Sequence, residues 1–471
     1  VNRVIVARLG TLFTILFVLL ALRQIYVQVV EGPAIAANPY NPRHALLGSH
    51  RGRILASDGT VLARTVGEKR QYPLGASLAQ TVGYVSERYG TSGLEDAYDR
   101  ALTPADTTGD PGAQFAQIVE AFQGKTSVSR GADIVTTIDP VIQNELYSQL
   151  SQYSRGAGVV MDPRSGAVLA IASVPSFDPN ALAESFPSLV HDQTSPLLNR
   201  AVNGLYPPGS TFKIFTAASA LDAGVVTMDS TFYDPGYYTI GNFTLHDDEG
   251  EATGSQNLTG AFALSSNVDF GQIALKMGTD TFYRYVGLWG LGESLDFQLP
   301  ASRDRIPPAS SVVPGELAQM GFGQGALLLT PLRVALIGST IADNGTEPRP
   351  YIVRQVTGAG NVGSSYGPGE LARPISADTA ANVENMMVAV VQRGTGTPAQ
   401  LSGVTVAGKT GTATNPLGAP HSWFVCFAPA ENPRIAVAIV VENAGYGAAV
   451  AAPIARNVLR VALGDRRAAH L

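Results

Sequence analysis

A chain of 471 residues has room for two or three domains and at least one sizeable core. Apolar content of 45% against 15% charged residues excludes a disordered chain, and a net charge of −6 gives no footing for nucleic acid. A single cysteine, Cys426, excludes an internal disulfide and a cysteine-rich metal site; in the apolar run Trp423-Phe424-Val425-Cys426-Phe427 it reads as a buried structural thiol.

Residues 1–30 read as a short cytoplasmic tail and a membrane anchor. The run from Leu9 to Leu22 is uncharged and apolar, and extends back through Val4 to Ala7 if Arg8 snorkels. Arg3 and Arg8 precede it, so the positive-inside rule puts the N-terminus in the cytoplasm and everything after residue 30 outside. The competing reading, a cleaved signal peptide processed at Ala34-Ile35-Ala36, places that site well past the apolar run. Residues 31–131 read as a small mixed module with a packing or partner-docking role. Arg51 to Ala63 predicts two short strands around an Asp58-Gly59 turn, Gly93-Leu94-Glu95 leads a helix-compatible stretch, and 103–131 reads as a linker or exposed loop.

The texture changes at residue 132. Ile134 to Asp139 predicts a strand, and Pro140 opens an amphipathic helix to about Gln152. Gly158 to Ser173 predicts a hairpin with nearly continuous apolar arms, as in a sheet covered on both faces. A mostly helical block follows Ser210. Strands are predicted again at Val404–Val406, Trp423–Ala428 and Ile435–Val441, then a helix at about Ala451–Leu463. Strands at both ends of a helical block imply an α+β domain over 132–471 whose sheet is built from both ends.

Three short motifs in this domain carry chemistry. In Tyr206-Pro207-Pro208-Gly209-Ser210-Thr211-Phe212-Lys213, the two prolines and the glycine forbid helix and a helix-compatible run begins at once. Ser210 then sits where free N–H groups favour a developing anion, and Lys213 projects from the same face. A hydroxyl becomes a nucleophile when a base takes its proton, and a desolvated lysine beside another cation can be that base. Ser265-Ser266-Asn267 and Lys409-Thr410-Gly411-Thr412 follow in order. Ser265 can relay a proton and Asn267 can hold a substrate amide. Lys409 beside a strand can steer a carboxylate with Thr410 and Thr412 as hydrogen-bonding partners, and Gly411 leaves room for substrate along the strand edge. The backbone N–H groups of Ser210 and Thr412 are candidates for an oxyanion hole.

Gly403 to Thr410 also matches the P-loop pattern, but its strand-like residues fall inside the supposed loop and Gly411 to Pro416 is a poor helix start. His246-Asp247-Asp248-Glu249 with Glu251 reads as a solvated acidic turn rather than a metal site, and His421 as structural rather than cleft-lining. Neither a metal nor another cofactor is implied.

Ser-x-x-Lys, Ser-x-Asn and Lys-Thr-Gly in that order resemble the signature of penicillin-binding proteins and serine β-lactamases. The likeness to class B penicillin-binding proteins covers nearly the whole chain. It includes Arg51-Gly52-Arg53-Ile54, Tyr72-Pro73-Leu74-Gly75, Gly93-Leu94-Glu95, Thr136-Thr137-Ile138-Asp139, Asn199-Arg200-Ala201, Gly323-Gln324-Gly325 and His421-Ser422-Trp423-Phe424. The resemblance implies a transpeptidase domain with a central antiparallel sheet flanked by helices plus an all-helical lobe. It also implies a transmembrane helix and a non-catalytic pedestal or dimerisation-type module before that domain. By the same likeness Ser210 is acylated by a peptidoglycan stem peptide with loss of terminal D-alanine. Lys213 is the base, Ser265 the shuttle, and Asn267, Lys409, Thr410, Gly411 and Thr412 hold substrate. Implied partners are donor and acceptor stem peptides, β-lactam antibiotics, and a membrane glycosyltransferase of the wall-synthesis machinery used in growth or division. The roughly 120 residues between anchor and catalytic region are too few for a glycosyltransferase segment, which argues against the bifunctional class A proteins. A D,D-carboxypeptidase and an anchored β-lactam sensor without turnover stay open at this point.

Overall fold

Apolar strands from both ends of the catalytic region meet in one sheet, and the site grows from its edge. The structure, a computed structural model, describes residues 3–26, 51–104, 130–247, 252–357, 364–415 and 418–464. The Ala34-Ile35-Ala36 site, most of the 103–131 linker and the acidic residues 248–251 lie outside them.

Helix α1 spans Arg3–Tyr26, and its side chains Leu9, Leu12, Phe13, Leu16, Phe17 and Leu20 stand exposed. Among the described residues no helix is long and apolar enough to cross a membrane. In the next module, β1 (Ile54–Leu55) and β2 (Val61–Val66) pair antiparallel around Asp58-Gly59, as predicted. Gly59 supplies the positive φ of +87° that this turn needs. A third strand, β3 (Lys69–Gln71), pairs with β2. On its other edge β1 takes β4 (Asp133–Thr136) in parallel, Ile54 facing Ile134. The free edge of β4 pairs antiparallel with Val353–Thr357, far along the chain, so one sheet holds strands from both regions.

Helix α2 (Pro140–Leu150) opens at Pro140 as the sequence predicts; Asp139, expected to end the preceding strand, instead caps the helix by accepting from the N–H groups of Val141 and Ile142. Then come β5 (Gly156–Met161) and β6 (Val168–Val174). The helices α3 (Lys213–Asp222), α4 (Leu258–Leu264), α5 (Asn267–Leu288), α6 (Pro331–Ala342) and α7 (Ala377–Arg393) separate them from β7 (Ala407–Asn415), β8 (Gly418–Ala428) and β9 (Ile435–Val441). Helix α8 (Ala451–Ala462) closes the described fold. The sheet order is β7-β8-β9-β5-β6, antiparallel throughout.

Strand periodicity divides β9 between two cores. Val437, Ile439 and Val441 join α2 and α8 on one face, while Ala436, Ala438 and Val440 join the cluster containing α6 on the other. Both faces are covered, which explains the continuous apolar runs.

Two expectations change. Val404–Val406 is not a strand: Gly403 turns at φ +74°, and the strand starts at Ala407, so Lys409-Thr410-Gly411 lie inside a strand rather than beside one. The helical block is also interrupted. Thr231–Asp234 pairs with Gly254–Asn257, and Tyr237–Ile240 with Phe243–His246, forming a flap of short hairpins. The β-branched and aromatic residues there, with Gly236 and Gly241 at positive φ, are the local cause.

Beneath α6 lies a buried ionic triad. Arg333 donates to Asp304 at 2.8 Å and Glu347 at 2.9 Å, with all three side chains at most 3% exposed. Replacing Arg333 by alanine leaves two buried carboxylates without their cation. We expect a loss of about 3–5 kcal/mol in urea unfolding; a change under about 1 kcal/mol would mean the triad does not hold α6 in place.

Candidate active site

The turn that carries Ser210 is fastened from several sides before it becomes a helix. Tyr206 exchanges backbone hydrogen bonds with Leu329 at 3.0 and 2.9 Å, and the Trp423 indole donates to the Pro207 carbonyl at 3.0 Å. Arg200 and the Tyr206 hydroxyl both donate to Glu442, at 2.9 and 2.8 Å. Gly209, at φ +53°, donates to Gly323 O at 2.9 Å. Gly209–Phe212 then forms one 3₁₀ turn that runs into α3. Three residues per turn bring side chains 210 and 213 into line more closely than an α-helix would. Ser210 is 9% exposed and Lys213 fully buried.

The second motif sits at a break between two helices. Ser265 ends α4 in the left-handed region, at φ +65° and ψ +35°, a conformation uncommon for a residue with a Cβ. Ser266 then caps α5 by accepting from the N–H of Asp269. The break lets both oxygens of Ser265 meet Lys213: its carbonyl accepts from Nζ at 2.5 Å and its Oγ at 3.2 Å. Asn267 Oδ1 accepts a third hydrogen bond from the same Nζ at 2.9 Å. From the sheet, Lys409 Nζ donates to Ser265 Oγ at 2.8 Å and to the Thr410 carbonyl at 3.2 Å. Lys213 Nζ lies 5.5 Å from the centre of the Phe270 ring, and Lys409 Nζ 5.7 Å from that of Phe262.

Lys409 is therefore completely buried and turned toward Ser265. The Thr410 and Thr395 hydroxyls are 2.6 Å apart. Gly411 has a packing reason of its own: a Cβ there would lie 2.9 Å from Thr211 Cγ2 and from Trp423 Cβ, between the Ser210 turn and β8. Ser210, Ser265, Thr410 and Thr412 line one cleft of about 300 Å³, together with Asp247, Thr395 and Tyr446. Asn267 follows the lining residue Ser266; its Oδ1 accepts from Lys213 and its Nδ2 donates to His246 O at 3.3 Å.

Asp247 and Thr395 are cleft residues that sequence reasoning missed. Asp247 is no part of a solvated turn: it is 9% exposed, and its Oδ1 accepts from the backbone N–H groups of Asn267 and Val268. Burial, then a hydrogen bond with Asp234, pushes its carboxyl up to about 7. Burial also opposes charge on Asp234, but hydrogen bonds from Asp247, Gly236 N and Thr253 hold it below the ordinary aspartate range. Asp247 Oδ2 has no other donor, so one shared proton makes the Asp247–Asp234 contact attractive. Thr395 carries no residue-type signal; only the closeness of α7 to β7 brings it in. His421 accepts from Asn443 N at 3.2 Å and packs edge-on against Tyr206, outside the cleft, and burial lowers its proton affinity. Burial raises that of the Cys426 thiol. Among the described residues, no group of histidine, cysteine and carboxylate side chains could hold a metal ion. With Gly411 to Asn415 in a strand, the P-loop geometry is excluded.

The penicillin binding protein transpeptidase domain family matches residues 156–460, and the penicillin binding protein A dimerisation domain family matches 51–133. The peptidoglycan D,D-transpeptidase PbpA of Mycolicibacterium smegmatis is 33% identical over 495 residues, covering 97% of this chain and 98% of its own. The D,D-transpeptidase domain of a peptidoglycan glycosyltransferase from Eggerthella lenta superposes with a TM-score of 0.80 at 36% identity, over 89% of this chain and 99% of that one. The penicillin G acyl-enzyme complex of penicillin-binding protein A from Mycobacterium tuberculosis superposes with a TM-score of 0.80 at 32% identity, over 88% and 100%. By sequence along almost its whole length, and by a fold that brings Ser210, Ser265 and Lys409 together, the chain belongs to the penicillin-binding protein transpeptidase family.

Proposed function

We propose that the protein is a peptidoglycan D,D-transpeptidase that cross-links stem peptides through an acyl-enzyme on Ser210. One observation carries the mechanism: the Ser265 hydroxyl is hydrogen-bonded by both Lys213 and Lys409. Two buried ammonium groups sharing one acceptor oppose each other's charge, which favours a neutral amine at one of them. Lys213, three residues after Ser210, is the amine placed to take its proton.

Ser210 Oγ attacks the carbonyl of the penultimate D-alanine of a donor stem peptide as Lys213 accepts the proton. The N–H groups of Ser210 and Thr412 receive the oxyanion. The proton passes by way of Ser265 to the departing nitrogen, and D-alanine leaves. Lys409, Thr410, Gly411 and Thr412 align the donor along β7, and Asn267 holds its amide from the opposite wall. An acceptor amine then attacks the ester, Lys213 takes its proton and returns it to the departing Ser210 Oγ, and the cross-linked product leaves with Ser210 and Lys213 restored. A β-lactam enters by the same attack, but its opened ring keeps the leaving nitrogen attached, so the acyl-enzyme persists.

The chain organisation in this reading is a cytoplasmic tail and anchor at 1–30, a non-catalytic module at 31–131 and the catalytic domain at 132–471, held outside the plasma membrane. The uncharged run from Leu9 to Leu22, exposed around α1, supports the anchor. A membrane glycosyltransferase supplying polymerised strands is the proposed partner, because cross-linking needs stem peptides on glycan.

Fluorescent penicillin should label the protein once, on the peptide carrying Ser210, and Ser210→Ala should abolish the label. An adduct elsewhere, or none on folded protein, would overturn the assignment. Ser265→Ala should slow acylation by about 10²–10⁴-fold, by removing the relay. Its unfolding midpoint in urea should report a loss of no more than about 1–3 kcal/mol for the hydrogen bonds surrendered. Acylation within a factor of about three of wild type would remove Ser265 from the relay.

A further inference from the structure

Behind the Ser265-Ser266-Asn267 motif lies a group of carboxyls that the reaction above does not use. Asp269, in the first turn of α5, is fully buried, and the Ser266 hydroxyl is the one side-chain hydrogen-bonding group beside its carboxyl among the described residues. An ionised carboxylate in such a place has too few donors to make its buried charge comfortable. The charge of Asp234, from the flap strand Thr231–Asp234, acts on it, and Asp234 in turn hydrogen-bonds Asp247, which follows Phe243–His246. Asp247 grips the start of α5 through the N–H groups of Asn267 and Val268, and lacks a donor at Oδ2.

The same carboxyls face the amine that the mechanism needs neutral. Lys213 acts electrostatically on both Asp247 and Asp269, and its Nζ lies over the ring of Phe270, the residue after Asp269. Lys409, on β7, stands beyond Ser265. His246 precedes Asp247, with its ring against Tyr237. The helix Pro314–Gly321 packs along α5 and brings Glu316, whose field is felt at Tyr283, farther down α5.

We propose that the buried carboxyls Asp269 and Asp247, linked to Asp234, set through their ionisation the pH at which Lys213 becomes the base, making Asp269 and Asp247 positioning residues for it. This inference rests on the transpeptidase reading given above. Ionised carboxylates at Asp247 and Asp269 would favour Lys213 as an ammonium ion, less able to accept the Ser210 proton. Only while Asp247 and Asp269 are both protonated does the cluster stay close to a single negative charge, on Asp234. Burial, then the charge of Asp234, pushes the Asp269 carboxyl up to about 6, so the cluster begins to ionise below neutral pH. As pH rises through that range, the growing negative charge stabilises the Lys213 ammonium and delays the onset of activity to higher pH.

The test is the pH profile of the second-order acylation rate with fluorescent penicillin, from about pH 5 to 9, on the whole chain in detergent. Asp269→Asn keeps the shape of the protonated side chain and cannot ionise. Its rising limb should move to lower pH by about one unit, with a several-fold gain near neutrality and an unchanged alkaline plateau. Asp247→Asn keeps an oxygen for the Asn267 and Val268 N–H groups and should shift the limb in the same direction; it decides the matter if Asp269→Asn does not fold. Profiles that superimpose on wild type, or that only scale by a constant factor, would overturn the proposal and leave the cluster a packing feature. Failure of wild type to label at Ser210 would instead overturn the transpeptidase reading, so the two failures are distinguishable.

Discussion

One hydroxyl between two buried lysines is the constraint on which this structure depends. Ser265 Oγ accepts from Lys213 on one side and from Lys409 on the other. Neither lysine reaches water; each is padded by aromatic rings and depends on oxygen acceptors from the chain. Lys213 comes from the helix after the nucleophile, Lys409 from the sheet, and Ser265 from a junction between two other helices. The arrangement exists only when the helical part and the sheet are docked in one register, so folding and the assembly of the relay are a single event.

That docking depends on places where a side chain would not fit. A Cβ on Gly323 would lie 2.0 Å from Gly209 O, and one on Gly209 would lie 2.8 Å from Thr412 O. One on Gly408 would lie 2.7 Å from the Phe424 ring. Backbone therefore approaches backbone on both sides of Ser210, and the nucleophile is placed by main chain, which moves less than side chains do. The left-handed Ser265 is the complementary device: backbone strain is accepted at one residue so that two of its oxygens face one amine.

Much of this was legible from residue order. The helix start at Pro140, the two-sided strands β5 and β6, and the three motifs each follow from local chemistry. The start of β7 was not legible, because Val404-Thr405-Val406 has the stronger strand propensity while Gly408 and Gly411 weaken the true strand. Those glycines are there for Phe424 and Trp423 across the sheet, a non-local reason. The flap hairpins were lost in a helical reading. Asp247 was read with its acidic neighbours as solvated, when two backbone N–H groups of another element bury it. Thr395 and the carboxyls behind Asn267 are gathered by tertiary packing alone.

The sheet that joins β1, β4 and Val353–Thr357 has a consequence for where this protein can be cut. Strand β4 gives one edge to each region, so it belongs to neither alone. A polypeptide beginning after Thr136 would keep all three motifs yet present the backbone of Val353–Thr357 as an open edge, free to recruit the same strand from another copy. Strand β4 thus does more than join two regions: it covers an edge of Val353–Thr357 that would otherwise be open to self-association.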